Sequence, residues 1–376
     1  MQKLRAAIIG TGFAGQVHAR ALRLLGIPVA GVVASTPERS AAAARELGVE
    51  RTYPDAATLI EQSDADVVHV CTPNYLHRRL VELAFAAGRH VVCEKPLGVS
   101  LAEASALARL ARESGRVAVV PFAYRYHAMT AEARARALAG SLGRIHLIHG
   151  SYLQDWQLSP GEGGWRVDAA LGGDSKAFAD IGSHWCDLAE WITGQRIAEL
   201  VALTETVVAR RAAAGSGTFE SRPEFSAQQL RAVATEDVAC LLFRTTDGAA
   251  GTLTVSQVSP GRKNRLWIEV DGAQASAVFN EERPEALWLG RRGASEDMTR
   301  DSASLAAQSQ RLSFLPPGHA QGFVDCFAAL LSDAYTAVAD GGPGSFPSFD
   351  DGLRAAQLTD AVLTSARQRS WVKVVP

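Results

Sequence analysis

The chain has little of what marks the more specialised protein classes. Its five cysteines, Cys71, Cys93, Cys186, Cys240 and Cys326, lie far apart, are odd in number and include no C-x-x-C pair, so neither a disulfide framework nor a zinc site is signalled. Charge is nearly balanced, with 38 basic against 40 acidic residues and a formal net charge of -2, which leaves no basic footprint for nucleic acid or anionic lipid. Long apolar runs are missing too. The start, from Met1 through Lys3 and Arg5 into Ala6-Ala7-Ile8-Ile9, is too short for a signal-peptide core or a membrane span and reads as a first strand. These absences predict a cytoplasmic protein with reduced thiols and small-molecule partners, bound to neither nucleic acid nor membrane.

What is present points to an α/β protein of about two domains, since 376 residues with 47% hydrophobic and 21% charged bury a substantial core. Up to about residue 120, short β-branched runs alternate with alanine-rich amphipathic stretches. Strands are predicted at Leu4–Ile9, Val29–Ala34, Val67–Cys71, His90–Cys93 and Val117–Val120, with helices around 14–25, 37–47, 76–87 and 101–114. That rhythm implies a parallel sheet with crossover helices and a ligand at the carboxyl ends of its strands. After Pro121 the texture changes to alternating runs, Ile145–Gln154, Val238–Arg244, Gly251–Val258 and Leu266–Val270, which read as a mostly antiparallel sheet. The expected division is a dinucleotide-binding domain over 1–123 and a second α/β domain over 124–376, with the C-terminal helix packing back on the first domain. A helix is predicted at Ser183–Trp191, an exposed loop at Arg210–Arg222, and no internal repeat is visible.

Immediately after the first strand comes Gly10-Thr11-Gly12-Phe13-Ala14-Gly15. Alone this is an ordinary glycine turn. Between a strand and a helix, in a crossover pattern, it is the fingerprint that brings a pyrophosphate onto backbone N–H groups at a helix N-terminus. The acidic residue that usually binds the NAD ribose after the second strand is absent, and Ala34-Ser35-Thr36-Pro37-Glu38-Arg39 stands there instead. Ser35 and Thr36 suit a ribose or a 2′-phosphate, and Arg39 can reach such a phosphate or simply be a solvated helix-start arginine. The expected cofactor is therefore NAD(P)(H), inclining toward NADP.

Two further segments sit at strand ends beside the same crevice, Cys71-Thr72-Pro73-Asn74 and Cys93-Glu94-Lys95-Pro96. A Lys-Pro pair is commonly only a turn, but an ammonium at Lys95 can hydrogen-bond a substrate oxygen and stabilise alkoxide character as hydride leaves. In Asp180-Ile181-Gly182-Ser183-His184-Trp185-Cys186-Asp187, Asp180 and His184 share a face if the helix begins early, as a base and its partner; otherwise Asp180 is an N-cap and His184 structural. Since Lys95 supplies positive charge and no ligand-spaced His, Asp and Glu cluster appears, no metal is expected.

Together these motifs resemble the glucose-fructose oxidoreductase and inositol dehydrogenase family (Gfo/Idh/MocA) over essentially the whole chain. The resemblance rests on the glycine fingerprint, Cys71-Thr72-Pro73-Asn74 with His77, Glu94-Lys95-Pro96, and Gly172-Gly173 leading to Asp180-Ile181-Gly182-Ser183-His184. It implies a Rossmann domain followed by an α/β domain on an open sheet that commonly forms subunit contacts, hence a homo-oligomer, dimer or tetramer. It further implies that Lys95 matches the catalytic lysine, Asp180 the substrate-binding aspartate and His184 the catalytic histidine. The activity implied is reversible oxidation of a secondary alcohol on a sugar, sugar derivative or cyclitol. His184 is the favoured proton acceptor, with Lys95 the alternative.

Substrate contacts are expected from Tyr124, Arg125 and Tyr126 at the domain junction, or these are junction packing. Trp156, Trp165 and Arg166 offer aromatic faces beside polar groups, although each tryptophan taken singly fits a core. His319 either completes the pocket or caps a helix, and the charges over Gly261–Arg265 read as a solvated hairpin. Two other functions fit the same motifs, a glycosidase that works by transient oxidation with bound NAD and a nucleotide-binding sensor without chemistry.

Overall fold

A computed structural model describes residues 4–212, 230–342 and 344–375 of the chain. Its first layer follows the expected rhythm: β1 (Ala6–Ile9), α1 (Phe13–Leu24), β2 (Val29–Val33), α2 (Pro37–Leu47), α3 (Ala56–Gln62), β3 (Val67–Val70), α4 (His77–Ala86), β4 (His90–Cys93), α5 (Leu101–Ser114) and β5 (Ala118–Val119). The strands are wholly parallel in the order β2-β1-β3-β4-β5. Each of β1 and β3 is buried along its full length, as a sheet covered by helices on both faces demands. Sequence order reverses between β1 and β3, and the crevice above their carboxyl ends is where ligands of such sheets bind.

The chain continues as α6 (Ala128–Leu138), β6 (Ile145–Leu153), α7 (Ala169–Gly172), α8 (Ser183–Thr193), β7 (Ile197–Glu205), β8 (Arg210–Ala212), β9 (Leu230–Ala232), β10 (Val238–Thr245), β11 (Ala250–Ser256) and β12 (Arg265–Gly272). It then runs through β13 (Ser276–Asn280), β14 (Ala286–Arg291), β15 (Ala294–Thr299), α9 (Ala307–Gln310), α10 (Phe323–Asp340), α11 (Phe349–Gln368) and β16 (Val372–Lys373). Nine strands form one sheet ordered β15-β14-β13-β12-β6-β11-β10-β7-β16, antiparallel except where β11 runs parallel to β6. Strands β10 to β12 alternate buried and exposed residues. One face packs on α6 and α8, while the other leaves Leu203 and Leu242 largely exposed. Helix α10 lies against α1, and α11 spans the two layers, touching α5 and β7.

Most expected elements appear within a residue or two. Helix α3 was not anticipated: seven residues give too short a window for periodicity, and it is fixed by Asp55 accepting from the Thr58 N–H. The exposed loop expected at Arg210–Arg222 is corrected at its start, where Arg210–Ala212 pairs with β9 and Arg211 is buried, its guanidinium donating to Asp237 and to the carbonyls of Ser159 and Glu162. The remainder of that stretch lies outside the described residues.

Arg354 on α11 closes the back of the molecule. Its buried guanidinium donates to both oxygens of Glu190 and to the carbonyls of Ile197 and Val375. Replacing it leaves a carboxylate that is itself nearly buried with only the Ile197 N–H and the more distant Arg196 as partners. Arg354→Met is therefore expected to destabilise the protein by about 3–5 kcal/mol, read as a lower denaturant midpoint with little change in the kinetics of any remaining folded enzyme.

Candidate active site

The crevice above β1 and β3 is built to bring backbone close to a ligand. Gly10 has a φ of +93°, and a Cβ there would stand 2.4 Å from the Cys71 carbonyl oxygen; one on Gly15 would stand 2.1 Å from the Gly10 oxygen. Those two glycines let the loop, β3 and α1 nest together. A Cβ on Gly12, by contrast, would meet nothing within 4 Å. Gly12 caps α1 with no side-chain hydrogen bond, and the first turn holds no acidic residue, so the helix-start N–H groups face an open cradle. A dinucleotide pyrophosphate fits such a cradle. Phe13 is half exposed beside it, with Ala14 next along the turn.

At the end of β2, Thr36 caps α2 by accepting from the Arg39 N–H, and the Arg39 guanidinium donates to Ser35 Oγ at 3.2 Å, all on the exposed surface. Beyond β3, Cys71 bonds its N–H to Ile9, Thr72 keeps a buried Oγ1 without a partner, and after Pro73 the Asn74 amide donates to the Gly172 carbonyl. His77 ties the two strand-end loops, its ring nitrogens 3.0 Å from the Thr72 oxygen and 2.9 Å from the Pro96 oxygen. These bonds hold the chain at Glu94 and Lys95 against the crevice.

Lys95 then reaches across to the second layer. Its Nζ donates to Asp180 Oδ1 at 2.6 Å and to the Asp180 carbonyl at 2.9 Å, while Gln257 Nε2 donates to the other carboxylate oxygen at 2.7 Å. Burial opposes the charge on Asp180, but Lys95, Arg166 and these donors hold its carboxyl well below the usual range. Asp180 is not an N-cap. It lies inside a π-helical turn, Phe178–Gly182, that runs straight into α8, so the helix begins early and Asp180 and His184 lie on one face.

The His184 ring sits edge-on to Phe122 and Tyr124, with centroids at 5.5 and 5.0 Å. Burial, and then the Lys95 charge, push it down to about 3 against the opposing pull of Asp180 and Glu94, so it stays a neutral imidazole. Its Nδ1 is sealed and unpartnered, whereas Nε2 is not sealed. Tyr124 continues the wall: its hydroxyl lies 2.6 Å from that of Tyr152 and accepts from Asn264 Nδ2. Asn264 Oδ1 accepts from Tyr152 and from Gln154, whose own oxygen accepts from Trp156 Nε1. Arg166 lies 4.4 Å from the Trp165 ring and 5.5 Å from the Trp156 ring, and its charge is felt at both Asp180 and Glu94.

The remaining expected contacts point elsewhere. Tyr124 to Tyr126 form a single 3₁₀ turn, which sends consecutive side chains in different directions. Arg125 clamps Asp187 and Asp351, and the Tyr126 hydroxyl donates to Asp333 on α10. His319 is exposed before α10, with its carbonyl accepting from Arg300. Lys263 pairs with Asp155, and Arg262 with Glu282, so those charges serve the hairpin. Sequence reasoning missed Gln257 and Asn264. Each stands just past or just before a strand, in a position that only the assembled sheet aims at Asp180 or Tyr124.

Residues 4–122 match the model of an oxidoreductase family with an NAD-binding Rossmann fold, and residues 130–278 match the GFO/IDH/MocA C-terminal domain. The chain belongs to the Gfo/Idh/MocA family of oxidoreductases. It is 31% identical to the levoglucosan dehydrogenase of Pseudarthrobacter phenanthrenivorans, covering 100% of this chain and 99% of that one. A solved levoglucosan dehydrogenase in complex with NADH and levoglucosan superposes with a TM-score of 0.90 at 29% identity, both chains covered in full. An inositol dehydrogenase homolog from Azotobacter vinelandii complexed with NAD+ gives 0.86 at 26% identity, covering 99% of this chain and 97% of that one. The D-xylose 1-dehydrogenase (NADP(+)) 2 of Haloferax volcanii is 28% identical over 67% of this chain and 76% of its own.

Gln257 is fully buried, and its Nε2 is a side-chain donor to the second oxygen of the Asp180 carboxylate. Gln257→Leu removes a donor from the buried carboxylate and is expected to lower kcat/KM by about 10-fold or more while cofactor affinity holds, as measured by quenching of protein fluorescence.

Proposed function

We propose that this chain is a nicotinamide-dependent dehydrogenase that oxidises a secondary alcohol on the ring of a sugar or cyclitol, with 1,6-anhydrosugars such as levoglucosan the first candidates. The single observation that carries the reading is the Lys95–Asp180 pair, closed between the two layers beside neutral His184 and next to the glycine cradle. Full-length similarity to levoglucosan dehydrogenase supports the choice of substrate.

In this reading Lys95 hydrogen-bonds the reacting oxygen and offsets the negative charge that grows on it, which lowers the barrier to loss of hydride from the same carbon. Asp180 keeps the ammonium in place and accepts from a neighbouring hydroxyl. His184 takes the alcohol proton at Nε2, and its neutral state at physiological pH is what lets it do so. Nicotinamide dinucleotide, when bound, supplies the hydride acceptor. Gly10, Gly12, Phe13, Ala14 and Gly15 would cradle its pyrophosphate, and Cys71 to Asn74, His77 and Glu94 would shape the edge that holds its nicotinamide end. Trp156, Trp165 and Arg166 wall the sugar pocket, with Tyr124 behind them.

For the cofactor, Arg39 on Ser35 in place of an acidic residue supports acceptance of NADP(H) as well as NAD(H). The exposed Leu203 and Leu242 on the open sheet face support a homo-oligomer, which light scattering measures directly.

The decisive assay follows reduced-nicotinamide absorbance while the protein meets anhydrosugars, aldoses and cyclitols with either cofactor. Reduction with one ring alcohol, abolished in Lys95→Met with cofactor binding intact, is the expected result; a silent panel with proven cofactor binding rejects the reading. Arg39→Ala should weaken NADP more than NAD, by about 10-fold for a lost phosphate contact; equal losses would remove the arginine from the site.

The pH dependence follows from His184. An ordinary histidine protonates near 6.5, whereas this one stays neutral down to about 3, so kcat/KM should show no limb at 6.5. Stability should behave differently. Below 6.5 the unfolded chain binds a proton that the folded ring refuses, so this residue's contribution destabilises the fold as pH falls from 6.5 toward 3, seen as a falling melting temperature.

A further inference from the structure

Behind the crevice runs a buried chain of polar groups that the proposed chemistry does not use. His18 lies on the inner face of α1, His69 in the middle of β3 and Tyr335 on α10; both histidines are fully buried and the tyrosine is nearly so. His18 Nε2 lies 3.1 Å from Glu94 Oε1, His18 Nδ1 lies 2.8 Å from His69 Nδ1, and His69 Nε2 lies 2.9 Å from the Tyr335 hydroxyl. The second Glu94 oxygen accepts from the Lys95 backbone N–H at 3.1 Å.

The direction of the first bond follows from the end group. An ionised carboxylate only accepts, so His18 Nε2 carries the hydrogen. The contact between His18 Nδ1 and His69 Nδ1 then shares a single hydrogen, as does the contact between His69 Nε2 and the Tyr335 hydroxyl. Burial, and then the neighbouring His18, keep His69 from charging. The four groups thus form a continuous hydrogen-bonded line from α10 through the parallel sheet to the residue beside Lys95.

We infer that His18, His69 and Tyr335 are positioning residues that orient the Glu94 carboxylate and, through the backbone at Lys95, set the lysine ammonium against Asp180. The inference rests on the proposed role of Lys95. It gives α10 of the second layer a rigid connection to the active edge of the first, where α1 and α10 already pack together. The groups that act on Glu94 are His18, Lys95, His184, Arg166 and His77, with the buried thiols of Cys71 and Cys93 alongside; Tyr335 at the far end feels Asp66. Burial works against the Glu94 charge, and the His18 bond is the first of the contacts that keep its carboxyl below the ordinary range.

The test compares His18→Leu, His18→Gln and Tyr335→Phe in the holoenzyme, using whichever sugar and cofactor the wild type turns over. His18→Leu is expected to lower kcat by about 10- to 100-fold, the scale of a displaced reacting group, with a smaller change in sugar KM. It should also move the acid limb of kcat/KM to higher pH as Glu94 loses its donor. His18→Gln, which can place an N–H near the Nε2 position, should restore most of both. Tyr335→Phe removes one oxygen and should lower kcat by about 3-fold with the same direction of limb shift. Wild-type kcat and an unmoved acid limb in Tyr335→Phe and His18→Leu, whatever happens to melting temperature, overturn the proposal; if His18→Leu does not fold, Tyr335→Phe and His18→Gln decide it. Failure of the Lys95 reading would show separately, as an active Lys95→Met.

Discussion

The structure turns on the contact between Lys95 and Asp180. Two opposite charges, each mostly withdrawn from water, attract far more strongly than a surface pair. Removing them from water is costly, and the cost is offset only when the remaining lone pairs and hydrogens are also met. Here Lys95 spends donors on both the side chain and the carbonyl of Asp180, and Gln257 takes the second carboxylate oxygen. The pair belongs to two different layers of the molecule, so it fixes their relative placement at the point where chemistry is proposed. What remains of the ammonium's hydrogen-bonding capacity is available to a substrate oxygen.

Asp180 is held as firmly from below. Glu236 accepts from the backbone N–H groups of Lys176 and Phe178 and from the Ser175 hydroxyl, which anchors the start of the π-helical turn. Lys176 and Arg211 both donate to buried Asp237, and Gln257 bonds its backbone to the Asp237 carbonyl. The carboxylate and the amide that serves it are therefore braced by one ionic cluster. A π turn is an uncommon way to begin a helix and often marks a functional site; here it carries the Asp180 side chain toward Lys95 while His184 stays on the same face.

How much of this the sequence discloses depends on whether the information is local. The glycine fingerprint is legible because a strand, a tight turn and a helix start must be contiguous, and Gly10, Gly12 and Gly15 separate into two packing roles and one open face only once Cys71 is in place. Lys95, Asp180 and His184 are legible through motif order, although the N-cap reading of Asp180 could be discarded only on seeing the π turn. Gln257 and Asn264 are not legible, because nothing near them in the chain distinguishes them from other polar residues at strand ends. Arg125 and Tyr126 show the converse: adjacency to Tyr124 in sequence suggested a shared pocket, but a 3₁₀ turn points their side chains at Asp187 and Asp333 instead.

The same distinction bears on specificity. Hydride chemistry needs few groups, and those sit on strand ends and a helix start, rigid elements that a parallel sheet places with little help. Recognition of one ring among many needs a wall, and the one proposed here is assembled from β6, the segment around Trp165, and the residues flanking β11 and β12. Trp156, Gln154, Asn264, Tyr152 and Tyr124 are hydrogen-bonded in series, so a change at one alters the orientation of the next. Such coupling means that exchanging one polar residue of this series reorients its neighbours without touching Lys95, Asp180 or His184. Similarity to dehydrogenases of levoglucosan, scyllo-inositol and D-xylose accordingly defines the reaction class more sharply than the sugar, because a hydrogen-bond series of this kind has several satisfied arrangements.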